Sequence, residues 1–248
     1  MPRRVRRVLE HLYALVSDEM SRQLEHMLGE FEQQLFKHAD QARNAAQQAG
    51  HLETLRTARL NRADLVPRFL ALVESELTTI RDPAHTSEEA GALPTFRDLR
   101  LVDHGEADEA NLLRTIAARQ ESRAGLPLLL LGQRFGVLAG APAFVAERLP
   151  IGPYTLARIL SEAAHALQIS PEARLLLYKV YDHQVMTGYA QLVETMNALL
   201  ARENVLPSLS FVPVRSRPPA QARDDSQPRR PPEPADAREE ARRDAQAD

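Results

Sequence analysis

The chain has 248 residues, a net charge of −3 and no cysteine. The near-neutral charge argues against a dedicated nucleic-acid binder held by counterion release. The missing cysteine removes disulfides, thiolate metal sites and cysteine nucleophiles, and it fits a reducing cytoplasm, the location expected here. No apolar run approaches the roughly 20 residues of a membrane span. Arg3, Arg4, Arg6 and Arg7 stand where a signal peptide has its positive end, but Glu10, His11, Asp18 and Glu19 interrupt the apolar region that would follow.

From about Arg3 to Ala49 the chain has no Pro and one Gly, Gly29. Val8, Leu12, Val16, Met20, Leu24, Leu28, Phe31 and Leu35 recur at helical steps. One helix over this span would be about 65–70 Å long, more than the core could match. Either Gly29 bends it, or part of it projects and packs on another chain. Glu19, Arg22 and His26 break a strict seven-residue seam, which favours an irregular hairpin or bundle over a coiled coil. Gly50 reads as the end of this element. The next helix is expected from Asp64, its cap, to Arg81, with Pro67 in the first turn. Asp82-Pro83 ends it, and a loop follows to about Pro94.

A helix is expected over Glu106 to Arg123, and the very apolar Leu128 to Ala139 reads as a buried helix because Leu131, Phe135 and Leu138 keep helical spacing. Gly152-Pro153 opens another helix, to about Leu167. Ser170-Pro171-Glu172 gives three start signals in order: a cap, a first-position Pro and an acidic first turn. The helix beyond runs to about Asn204 with a kink at Gly188. From Leu206 onward come eight of the 17 prolines, eight Arg balanced by eight acidic residues, and no Gly. That tail is expected to be disordered, because it buries too little apolar area to offset its ordering entropy. The fold class is all-α, an irregular multi-helix bundle. Residues 1–60 form a long N-terminal helix or helical hairpin, 61–207 a helical domain, and 208–248 a Pro/Arg/Asp-rich tail or linker.

Candidate chemistry is thin. Glu162 and His165 have the Glu-x-x-His spacing of di-iron bundles, but such sites need the pair twice, and the expectation is a polar-face pair with no metal and no cofactor. Tyr178, Lys179, Asp182 and His183 form the densest group of hydrogen-bonding side chains, and with Gln133 and Arg134 they are the candidate ligand-binding residues. The alternative for that group is a buried network that holds helices in register. Gly132, Gly136 and Gly140 recur every fourth residue, a pattern that lets another helix approach closely. No phosphate loop, dinucleotide fingerprint or acyl-transfer nucleophile motif is present.

Leu101-Val102-Asp103, Leu131-Gly132-Gln133-Arg134-Phe135-Gly136-Val137-Leu138, Ile151-Gly152-Pro153, Leu177-Tyr178-Lys179-Val180-Tyr181-Asp182 and Met196-Asn197-Ala198-Leu199-Leu200 carry a resemblance. Over about Leu60 to Pro207 the chain resembles an uncharacterised proteobacterial family known as a domain of unknown function. Its members are generally longer, so the resemblance implies an amino-terminal portion or a short relative. Some members carry a thymidine phosphorylase label, whose Lys-x-Ser-Ser-Gly phosphate motif is missing here. The family pattern usually has Asn where Gly132 stands. The resemblance implies a helical fold and transfers no catalytic residues. The functional expectation is a non-enzymatic interaction or regulatory scaffold, with a protein partner or self-association through the long N-terminal helix. A ligand-binding or enzymatic domain built on the Tyr178, Lys179, Asp182 and His183 cluster is the alternative.

Overall fold

Val8, Leu12, Val16, Met20, Leu24, Leu28, Phe31 and Leu35 lie on the first helix, α1 (Arg3–Asp40), and each is at most 2% exposed. A step of four residues overshoots one helical turn by about 40°. The stripe therefore winds around α1 and needs cover on more than one side. The computed structural model, which describes residues 2–81 and 104–209, supplies that cover from within the chain. Helix α2 (Ala45–Thr78) returns antiparallel along α1, tied to it by Arg62 on Glu25 and by Arg59 and Arg62 on Glu32. Helices α6 (Pro171–Gln184) and α7 (Tyr189–Arg202) pack along α1 as well. At its N-terminal end Arg4 donates to the carbonyls of Glu203 and Asn204 just beyond α7.

The boundaries of this hairpin differ from those expected. α1 stops at Asp40 rather than near Ala49, and α2 runs through Gly50, Asp64 and Pro67 instead of starting at Asp64. The turn is set by Asn44, whose side chain accepts from the Gln47 N–H at 2.8 Å, while Gln47 Oε1 accepts from the Arg43 N–H. This is close to a reciprocal capping box. Pro67 removes one donor inside α2, but it sits with Ala63 on the exposed side, where water reaches the freed carbonyl. The boundary expected between residues 60 and 61 falls inside α2. Met1–Phe211 is one unit, so α1 and α2 share a core with the later helices.

The remaining described α-helices are α3 (His104–Arg123), α4 (Gly125–Ala139) and α5 (Pro153–Ala164). This makes an all-α fold of seven α-helices with no strand among the described residues. α5 packs between α2 and α3, α3 against α6, and α4 against α7. The start of α6 is as expected, with Ser170 accepting from the Ala173 N–H. The break expected at Gly188 is a short turn of 3₁₀ helix, Met186–Gly188, after which α7 starts. No described helix is long and apolar enough to cross a membrane. The expected helix end at Asp82-Pro83, the loop that follows and the tail beyond residue 209 fall outside the described residues.

Candidate functional site

The six candidate ligand-binding residues are not brought to one place. Tyr178 is fully buried, and its hydroxyl donates to Glu109 Oε2 at 3.0 Å. Glu109, on α3, also accepts a forked pair of bonds from Arg174, whose third nitrogen donates to the Ile169 carbonyl. Burial, ahead of the nearby Glu109 carboxylate, pushes the Tyr178 pKa up to about 12. This trio ties α3 to α6. Asp182 pairs with Arg119 of α3, and His183 is exposed. Tyr181 Oη and Gln120 Nε2 are buried and have no hydrogen-bond partner among the described residues.

Gln133 and Arg134 belong to a different part of the bundle. Gln133 is exposed on α4, whereas Arg134 is buried. Its nitrogens donate to Asn197 Oδ1 and to the carbonyls of Val205 and Leu206 beyond the end of α7. Asn197 Nδ2 in turn donates to the Pro127 carbonyl at 2.8 Å, closing a lock between α4 and α7. Burial lowers the Arg134 pKa. The negative end of the α7 dipole is what faces the cation there. The motif glycines are also structural, though they admit no second helix. A Cβ on Gly132 would stand 2.2 Å from the Phe144 carbonyl oxygen, and one on Gly136 would stand 2.8 Å from that of Pro142. They receive the chain's own return loop, held by the Phe144 N–H on the Gly132 carbonyl. An Asn at position 132 would need that loop to move.

Lys179 faces elsewhere. It lines a cleft of about 640 Å³ where the end of α1, the start of α2 and the start of α6 meet. Leu35, Ala173 and Leu176 supply apolar wall, and His38, His51, Thr54, Gln47 and Glu172 supply polar groups. The two imidazoles meet edge to face, with ring centroids 5.7 Å apart. Neither histidine was singled out from the sequence. The hairpin register brings them together, and the Asn44-x-x-Gln47 cap was the signal that fixes that register. Glu162 and His165 are both exposed, and no group of three or more His, Asp or Glu among the described residues is placed to hold a metal ion.

The other surface feature is α4. Leu126, Leu129 and Val137 on its outer face, and Val145 in the following loop, are four of the seven exposed large apolar residues described. The other three, Phe36, Leu52 and Leu60, lie on α1 and α2.

Among the described residues, fold and surface together define an all-helical domain with a closed core, a cleft of mixed lining at the α1–α2 turn and a bare apolar face on α4. The chain belongs to the family described as Protein of unknown function (DUF1631) N-terminal domain, whose model matches residues 4–204. No curated protein and no solved structure matches it.

Proposed function

We propose that this chain is a non-enzymatic cytoplasmic interaction module that self-associates through the outer face of α4. The observation that carries the reading is the row Leu126, Leu129 and Val137, with Val145 beside it, each 47–53% exposed. Leu126, Leu129, Leu130, Gln133 and Val137 fall within about 100° of one another around the helix, so they share one face, and none is charged. Such a face is self-complementary. An antiparallel two-fold contact sets Leu126 against Val137 of a second copy, with Leu129 and Leu130 flanking its Gln133. Half of four aliphatic side chains is on the order of a few hundred Å², short of the about 800 Å² per subunit in a standard interface. The association is therefore weak and reversible. Self-association through the first helix has less support, since α2, α6 and α7 already cover its stripe.

Sedimentation velocity of the full chain over a concentration series tests this. We expect a monomer–dimer equilibrium with Kd of about 10–1000 µM. The double substitution Leu129→Glu and Val137→Glu should abolish it and leave the circular dichroism spectrum unchanged. A strict monomer over that range, or a dimer indifferent to the double substitution, overturns the reading.

A further inference from the structure

The cleft at the α1–α2 turn is independent of the α4 face. We propose that it binds a small organic anion, a carboxylate or phosphate monoester carried on an apolar body, held by Lys179, His38 and His51. Its volume of about 640 Å³ lies within the range of small-molecule pockets. Its lining has the make-up such a ligand needs, with aliphatic wall from Leu35, Ala173 and Leu176 and a few converging polar groups.

The charge pattern selects an anion. Lys179 lines the cleft and forms no ion pair among the described residues. His38 and His51, on facing helices, meet edge to face on the cleft wall. One acid, Glu172, also lines the cleft. Its carboxylate is held below the ordinary range first by its own backbone N–H and then by Ser170. The Ser170 side chain caps the Ala173 N–H, and Pro171 has none. The first turn of α6 is thus already served, which leaves the anion to the Lys179 ammonium and the imidazoles.

Gly50 keeps the space open. It lies inside α2 on the cleft wall, and a Cβ built there meets nothing within 4 Å. A side chain there starts in open space on the cleft wall, and most residues suit a helix better than glycine does.

The test is calorimetric titration and amide-shift mapping of the full chain with four probes: phenyl phosphate, benzoate, inorganic phosphate and benzyl alcohol. We expect at least one aromatic anion to bind with Kd of about 1 mM or tighter, a reasonable strength for about ten heavy atoms. The neutral alcohol and inorganic phosphate should bind about tenfold more weakly, since each lacks one half of the recognition. Whichever of phenyl phosphate and benzoate binds tighter identifies the head group. Lys179→Met and His51→Leu should each weaken binding several-fold. Gly50→Leu should abolish it while the melting temperature holds or rises. The proposal is overturned if neither anion binds at 10 times that Kd, or if binding survives both Lys179→Met and Gly50→Leu.

Discussion

Helices α1 and α4 are both rich in apolar residues, yet they meet opposite fates. α1 carries a narrow stripe on a polar helix, and every residue from Val8 to Leu35 in that stripe is covered by the chain's own α2, α6 and α7. α4 is apolar nearly all round. It buries Leu128, Leu131, Phe135 and Leu138, and leaves Leu126, Leu129 and Val137 half in water. A stripe states which side is to be covered. Uniform apolarity states only that much is to be covered, and the number of neighbours decides how much is.

Truncating one side chain on each helix should separate the two cases most strongly. Phe31→Ala, in the closed stripe, should cost about 3–5 kcal/mol of unfolding free energy in urea, because it leaves a cavity as well as losing burial. Val137→Ala, on the bare face, should stay within about 0.5 kcal/mol. Similar losses at both positions would mean that the α4 face is covered in solution.

Alkaline titration probes the closed side next. All five tyrosines, Tyr13, Tyr154, Tyr178, Tyr181 and Tyr189, have pKa values raised above 10.0, with burial the leading cause in each. Tyr154 and Tyr178 are pushed up to about 12. A phenol with a raised folded pKa adds its full stability below pH 10, and that stability is lost as pH climbs toward the folded value. Unfolding free energy should therefore fall between pH 10 and 12, with phenolate absorbance appearing late and together with loss of helix. Ordinary titration of several tyrosines near pH 10 in the folded chain would show a looser core.

Two glycines give the smallest contrast. Gly132→Ala drives a methyl group into the Phe144 carbonyl and should destabilise by about 1–3 kcal/mol. Gly50→Ala meets open space and should stabilise by about 0.5–1 kcal/mol. Equal effects in chemical denaturation would show that the 141–144 loop does not rest on α4.

Local signals in the sequence were sufficient for several elements. Ser170-Pro171-Glu172 starts α6 because a capping oxygen and a fixed φ act within four residues, and the spacing of Leu131, Phe135 and Leu138 marks the buried side of α4. The turn at Gln41–Asn44 was harder to see, because Gly50 and Pro67 are stronger breakers than Asn44 and yet both are tolerated on exposed faces of α2. The candidate site was legible only in part. Lys179 is in the cleft, but its companions there are His38 and His51, far away in sequence. Its neighbour Tyr178 turns inward to Glu109, since adjacent positions on a helix point about 100° apart.

The helical class, the starts of α1, α3, α5 and α6 and the period of the apolar stripe on α1 are written locally, in properties that act over one or two turns of chain. Packing settled which apolar surfaces found cover, which of two adjacent side chains met water, and that a buried guanidinium joins α4 to α7. Those outcomes depend on which surfaces remain after the helices have packed, and residues Arg134 and Asn197, or His38 and His51, carry no local mark of the partner that packing assigns them.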